Sequence, residues 1–481
     1  MNTALVLNLT GVVLFFSSLF MLMPLLTSVI QKGPDLSALG TAFSLSFFCG
    51  LIIYYITKSQ NKVELKHRDG FAVVTISWLA MTFFGCLPYM LSDTSLSFTN
   101  AYFEAMAGFT TTGASVMSDL ERLPQGILLW RSMTQWMGGM GIIVFSLAIL
   151  PMLGAGGMQL FKAEVPDIRV EKLKPRILDM AKSLWYIYAG LTVALIILLS
   201  ITGMGLFDAV CHSLTTMATG GFSTKTASVA YFQDTYADIV ITIFMFLAGT
   251  SFSLHFFALR GNVFNYAKSS EFRFYCTTVL IAITVITVNT MSEHSTLSGA
   301  IRYASFQVVS IITTTGFATA DYELWPVLSQ MILICLMLFG GMVGSTGGGM
   351  KQVRILLMLK QAYREMYHLI HPRAVSALKL DDRNVPKETL GGIWGFLFLF
   401  ILIIVVASLL LSAMGVDMIT ATSTVISAMA NVGPALGDAG PTENYETIPV
   451  AGKWVLIFCM LAGRLEIYTV ILLFMPMFWE K

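Results

Sequence analysis

Thr110-Thr111-Thr112-Gly113, Ala218-Thr219-Gly220-Gly221, Thr313-Thr314-Thr315-Gly316 and Ala430-Asn431-Val432-Gly433 are four short stretches in a largely apolar chain of 481 residues. Each follows a semi-apolar segment, near 97–109, 206–218, 297–312 and 417–430. A bilayer-spanning helix needs about 20 apolar residues, so these segments are too short to cross and read as re-entrant half-helices. A long apolar run precedes each half-helix and another follows each glycine stretch. The unit reads helix, half-helix, glycine stretch, helix, four times over.

The repeat extends beyond the glycines. Nine residues before Gly113, Gly221, Gly316 and Gly433 stand Glu104, His212, Gln307 and Thr424, each polar on a half-helix that is otherwise largely apolar. One polar residue at a matched offset is what a half-helix needs to brace the neighbouring loop by hydrogen bonds. Downstream come the small pairs Gly138-Gly139, Ala248-Gly249, Gly340-Gly341 and Ala462-Gly463, their last glycine 26, 28, 25 and 30 residues after Gly113, Gly221, Gly316 and Gly433.

Backbone that leaves the helical path at membrane depth must be buried in protein or line water. A Thr/Gly stretch exposes carbonyl oxygens, and glycine permits the positive φ that turns successive carbonyls one way. Four such loops around one axis would stack rings of oxygens that replace the hydration shell of a monovalent cation. Half-helices aiming their partly negative C-termini at the axis would stabilise that cation further. A divalent ion would call for carboxylates at the ring, and the four stretches contain none.

Hydrophobic residues make up 56% of the chain and charged residues 12%, about half the charged share of a soluble domain. Apolar runs near 4–30, 36–57, 71–92, 125–152, 184–203, 239–259, 274–291, 327–350, 390–413 and 454–478 are ten candidate spans. The first has neither a basic n-region nor a cleavage site and reads as a retained helix. Connections 58–70, 153–183, 260–273 and 351–388, with Lys481, hold 22 of the 29 Lys and Arg residues, which makes that side, and the N-terminus, cytoplasmic. The opposite side is rich in acids, among them Asp321, Glu323, Asp438 and Glu443, which would enrich cations at an outer mouth. Positive-inside topology by itself would also leave acids outside. The net charge of +1 points to no nucleic-acid partner, and the six cysteines, lacking any CxxC pair, read as packing residues.

The stretches TTTG at 110–113, TGGFST at 219–224, TTTGFAT at 313–319 and NVGPALG at 431–437 give the chain a resemblance, over its whole length, to the Trk/Ktr/HKT superfamily of potassium transporters, and within it to the bacterial TrkH/TrkG potassium-uptake subunits. The resemblance implies an all-α polytopic membrane protein with two leading helices (1–60) and four helix–pore-helix–helix repeats (61–155, 156–259, 260–363 and 364–481) around a pseudo-fourfold central pore. It implies a potassium filter made by the backbone of Thr110, Thr111, Thr112 and Gly113, of Thr219, Gly220 and Gly221, of Thr314, Thr315 and Gly316, and of Asn431, Val432 and Gly433. Gly220 stands where two other repeats have Thr112 and Thr315, and the fourth has Asn431-Val432, so discrimination against sodium should be looser than in a fourfold-identical channel.

Two further features match. The run 340–351 holds Gly344-Ser345-Thr346-Gly347-Gly348-Gly349 and ends on Lys351; so many glycines, at roughly 1 kcal/mol each relative to Ala, do not hold a continuous helix cheaply. It is similar to the family's intramembrane gating loop. A nucleotide P-loop would need Gly at 350 and Ser or Thr at 352, which are Met and Gln. Arg464 lies mid-span, where a charge costs at least about 2.5–3.5 kcal/mol, so it must face a partner or the water path. The resemblance implies an electrostatic barrier beneath the filter; an internal salt bridge, to Glu466 or to a helix end, is the alternative reading.

No covalent cofactor is implied, and potassium is the substrate. The family works with a cytosolic TrkA-like nucleotide-binding ring, for which the basic 153–183 and 351–388 stretches are candidate docking surfaces, and as a homodimer in the bacterial inner membrane. A secondary carrier coupling potassium to protons or sodium remains the alternative, although a carrier built from inverted repeats would need halves of opposite topology, and here each unit starts from a basic connection. A membrane-embedded enzyme is the other rival; the six histidines form no HExxH.

Overall fold

The computed structural model describes residues 1–58, 66–94, 96–148, 173–293, 295–374, 376–381 and 383–480. Within them the regular structure is helical except for one antiparallel ribbon, Lys379–Leu380 with Arg383–Asn384. The unit boundaries expected at 60/61 and 155/156, the basic residues 153–172 and Lys481 lie outside the described residues.

Two leading helical runs, Thr3–Phe20 continued by Leu22–Gln31 and then Leu36–Thr57, pack on each other. A Cβ at Gly50 would lie 2.7 Å from Phe15 N, and one at Gly11 would lie 2.9 Å from Gly50 O, so the helices meet backbone to backbone. Lipid is as apolar as a leucine side chain, and close packing of small residues supplies what hydrophobic burial cannot.

Three-part units follow. The first has His67–Gly85 with Leu87–Leu91, the pore helix Phe98–Phe109 and then Gln125–Ala148. The second has Leu173–Ile201, the pore helix Leu206–Met217 and Thr235–Ala248 with Phe252–Leu259. The third has Ser270–Asn289, the pore helix Leu297–Ile312 and Val327–Phe339, with Gln352–Ile370 after a non-helical segment. The fourth has Lys387–Ala413, the pore helix Met418–Ala430 and Val450–Arg464 with Ile467–Ile471. Three pore helices start on a side-chain cap: Ser97 accepts from Asn100 N, Thr296 from Gly299 N, and Asp417 from Ile419 N and Thr420 N.

Among the described residues, six helices are long and apolar enough to span a membrane, and two bent pairs bring the number to eight. Exposed Ile56, Ile201, Leu280 and Leu409 form part of the outward apolar surface. This is a multi-pass, all-α membrane protein. Three of the ten expected spans are corrected. The runs at 239–259 and 454–478 are broken by bends of 98° and 119°. The run at 327–350 ends as a helix at Phe339, where Gly340 takes a φ of +63°. The second helices of units two, three and four thus all break, whereas that of unit one runs on unbroken from Gln125 to Ala148.

Candidate functional site

All four pore helices end in the same way. Thr112 N donates to Ala107 O, Gly220 N to Thr215 O, Thr315 N to Ser310 O and Val432 N to Ser427 O, at 2.8–2.9 Å. One residue earlier, Thr111 N, Thr219 N, Thr314 N and Asn431 N each reach the carbonyl three residues back. Together these satisfy the helix-end carbonyls and force the residue between helix and loop into the left-handed region. That residue has φ +52° at Thr111, +53° at Thr219, +60° at Thr314 and +58° at Asn431. Two residues on, φ is positive again at Gly113, Gly221, Gly316 and Gly433 (+80°, +76°, +80° and +106°). Alternating φ signs turn successive carbonyls toward one side.

The four stretches close into a ring. A Cβ on Gly113 would run into Gly220 O, one on Gly221 into Thr315 O, one on Gly316 into Val432 O and one on Gly433 into Thr112 O. Each glycine therefore abuts the carbonyl just before the next unit's glycine, in the cyclic order one, two, three, four, one. Glycine is required here twice over, for positive φ and for this approach. Hydroxyl pairs Thr110–Thr112 (2.7 Å) and Thr313–Thr315 (2.8 Å) stand in units one and three, opposite each other in the ring. Units two and four have Ala218 with Gly220 and Ala430 with Val432 at those places.

Glu104, His212, Gln307 and Thr424 are all fully buried. Glu104 accepts from Ser115 Oγ, from Val116 N at 2.9 Å and from Arg131 Nε at 2.9 Å. His212 Nε2 lies 3.0 Å from Ser223 Oγ. Ser115 and Ser223 each stand two residues after the unit's ring glycine, Gly113 or Gly221, so the two braces are equivalent. Gln307 Nε2 makes a long contact, 3.4 Å, to Ala320 O. Thr424 does not reach its loop: its hydroxyl bonds Thr420 O in its own helix, and the neighbouring Ser423 braces the loop through Leu436 O and Leu436 N. The hydroxyl of a mid-helix threonine is readily taken by the carbonyl four residues back, which removes it from other work.

Residues 340–351 fold back under the ring. Thr346 Oγ1 donates to Met217 O (3.0 Å), Gly348 N donates to Thr314 Oγ1 (2.6 Å), and a Cβ on Gly348 would lie 2.5 Å from Ala430 O. The loop thereby touches the C-terminal ends of three pore helices. Gly344 O accepts from Phe252 N, Ser345 Oγ turns back onto Met342 O, and Gly349 has φ +66°. Lys351 Nζ closes the turn on Gly347 O. Arg464, buried at 3% exposure, donates to Thr346 O at 2.7 Å and to Gly138 O at 3.2 Å. Glu466 is not its partner: that carboxylate pairs with Arg354 at 2.6 Å, so the alternative of an Arg464–Glu466 salt bridge is replaced by a cation held on carbonyls of unit one and the loop.

Arg464 also shifts the repeat alignment. Gly138 and Gly463 both back onto the carbonyl four residues before their unit's ring glycine, Phe109 O and Met429 O. Gly463 therefore corresponds to Gly138, and Arg464 stands where unit one has Gly139.

Several site residues lie outside the sequence expectations. Arg131 pairs with Glu104 at 2.8 Å with both groups buried, and it could have been noticed as an arginine seven residues into an apolar run. Gln135, one turn on, bonds the second glycine stretch at Gly220 O and Phe222 N. Glu271 accepts from both Val343 N and Val353 N, fastening the two ends of the loop to one carboxylate; nothing in its local sequence marks it. Among the described residues no group of three or more His, Cys, Asp or Glu side chains is arranged to hold a metal ion.

The chain is similar to known proteins along its whole length. The Trk system potassium uptake protein TrkH of Halomonas elongata is 42% identical, with both chains fully covered, and that of Escherichia coli K12 is 41% identical over 98% of this chain and 99% of that one. The Trk system potassium uptake protein TrkG of Escherichia coli K12 is 34% identical with full coverage. The crystal structure of the potassium transporter TrkH from Vibrio parahaemolyticus superposes with a TM-score of 0.92 at 37% identity, covering all of both chains. The TrkH family of cation transport proteins matches residues 40–481, and this chain, with its four glycine stretches closed in one ring, belongs to that family.

Proposed function

We propose that this chain is the membrane subunit of a Trk-type system and takes up potassium through a filter of backbone carbonyls. The observation that carries the reading is the closed ring of four glycine-to-carbonyl approaches, one per unit and in chain order. Oxygens at one level on four sides can replace a potassium ion's water, and four buried half-helices direct their negative ends at the same place. The potassium-uptake names of the relatives support the choice of ion.

The 344–349 loop is the gate in this reading, with Lys351 and Arg464 adding positive charge beneath the ring. Its contacts with three pore-helix ends and with Arg464 support a plug that must move for ions to pass. The helix Gln352–Ile370 leads directly out of the loop and exposes Tyr363, Met366, Leu369 and Ile370 on the side expected to be cytoplasmic. Docking of a nucleotide-binding ring on 351–388 would act on the gate through that helix. Pairing of two copies and residence in the bacterial inner membrane, with the N-terminus inside, complete the reading.

Radiotracer flux into liposomes, with potassium, rubidium and sodium in competition and with and without a pH gradient, tests it. Potassium and rubidium should compete and sodium compete weakly. Gly113→Ser should lower the potassium-to-sodium flux ratio; an unchanged ratio in a folded variant would refute the filter assignment.

A further inference from the structure

We propose that Gln135 is a positioning residue for ion selection, holding the second filter stretch from the neighbouring unit, with Arg131 as its partner. The proposal rests on the filter reading above. Gln135 is fully buried on the second helix of unit one, yet both ends of its amide bind unit two. Nε2 donates to Gly220 O at 2.5 Å, and Oε1 accepts from Phe222 N at 3.0 Å, the backbone groups on either side of Gly221. Arg131, four residues earlier and on the same helix face, donates to Ser223 O at 3.0 Å and lies 4.2 Å over the Phe222 ring. Three successive points of one filter stretch are thus held by one helix of another unit.

Among the described residues no other unit has this device. The corresponding residues of units two and four are Ile241 with Met245 and Leu456 with Met460, and the third unit's helix is apolar over 331–339. Units one and three instead fill the space with the hydroxyl pairs Thr110–Thr112 and Thr313–Thr315. The glycine at 220 then has a specific cause. Its φ is not positive, so backbone conformation does not require glycine there. A Cβ at 220 would lie 2.5 Å from Gln135 Oε1 and 2.8 Å from Nε2. The amide occupies the volume that a threonine side chain has in units one and three.

The consequence reaches the ion. Gly220 O belongs to the ring level of Thr112 O, Thr315 O and Val432 O, and among the described residues it is the one of the four that accepts a hydrogen bond. A carbonyl that already accepts an N–H presents a weaker field to an ion, and a fixed carbonyl cannot close around a smaller one. Both effects favour potassium over sodium.

The test is the potassium-to-sodium flux ratio in liposomes. Losing one such hydrogen bond should lower the ratio about three- to tenfold in Gln135→Leu. Gly220→Ala should produce a similar loss by displacing the amide, and the Gln135→Ala/Gly220→Ala double change should be no worse than either single change, because all three remove one clamp. A wild-type ratio in folded Gln135→Leu, or additive losses in the double change, would overturn the proposal. If Gln135→Leu does not elute as a single species on size exclusion, the Gly220→Ala and double variants decide by the same ratio. Misfolding of all three beside a folded Gly113→Ser would make Gln135 a folding residue only and overturn it equally. A shifted ratio in Gly113→Ser with none in the Gln135 variants leaves the filter standing without the clamp, whereas no shift in any variant removes the filter reading itself.

Discussion

Thr111, Thr219 and Thr314 hold β-branched side chains at positive φ, a conformation that costs about 1–3 kcal/mol for each residue. The hydrogen bonds closing each pore helix and the packing of the ring impose it. The chain therefore keeps strain at three of the four places where carbonyls point together, the fourth holding Asn431, and Gly113, Gly221, Gly316 and Gly433 provide the second turn that no other residue could make in that space. Glu104 and Arg131 illustrate a different constraint. They form a buried ion pair whose remaining atoms are spent on Ser115, Val116 and Ser223, linking the first glycine loop to the second. Removing one partner leaves a charge buried without its counter-ion, so Glu104→Gln is expected to destabilise the fold by about 3–5 kcal/mol. The thermal melting temperature in detergent should fall, and adding Arg131→Gln should recover part of the loss. An unchanged Tm would mean that the pair contributes nothing to stability.

At the scale of elements, the second helices decide how the lower pore is built. Those of units two, three and four break at Gly249-Thr250-Ser251, at Gly340 and at Leu465-Glu466, and the loop 340–351 occupies the space so made. Its anchors come from several elements: Glu271 at both ends, Arg464 at Thr346, Lys351 at Gly347, and Arg354 with Glu466 on its exit helix. Arg464→Ala removes one anchor and one positive charge together, and basal potassium leak into liposomes should rise several-fold. Deleting 345–349 should raise it at least as much. Silence from a well-folded deletion would remove the loop from the gating role. The runs at 239–259, 327–350 and 454–478 look continuous in sequence because most of their residues are apolar. Contacts with other units meet at these breaks, which hydropathy does not register: Phe252 N donates to Gly344 O, Met342 N to Gly249 O, and Arg354 pairs with Glu466. Ser423 taking the bracing role expected of Thr424 has a local cause, since the Thr424 hydroxyl is consumed by Thr420 O.

For the whole molecule, electrostatics divides the two faces. Asp321, Glu323, Asp438 and Glu443 gather on the acidic side. Burial pushes the Glu323 carboxyl above the ordinary carboxylate range, the Gly437 N–H pulls the other way, and Glu443, Asp321 and Asp438 add to the rise. External acid should therefore neutralise Glu323 before ordinary carboxylates, thinning the cation atmosphere at the mouth. Potassium uptake at low external potassium should decline over that pH range, and Glu323→Gln should flatten the decline; an identical pH profile in the variant would exclude Glu323. On the opposite face, crosslinks from 351–388 to a nucleotide-binding ring should form and should change when nucleotide is added. The sequence by itself determined the membrane class and the four matched glycine stretches, because backbone polar groups in lipid must be satisfied internally and only a few residue types permit the required turns. Tertiary structure alone decided which side chain serves which loop: Gln135 and Arg131 act on a stretch 85–92 residues away, Glu271 on a loop 72–82 residues away, and Arg464 on unit one. Such pairings depend on how the units close around the axis, and spacing along a chain carries no record of which neighbour a helix face will meet.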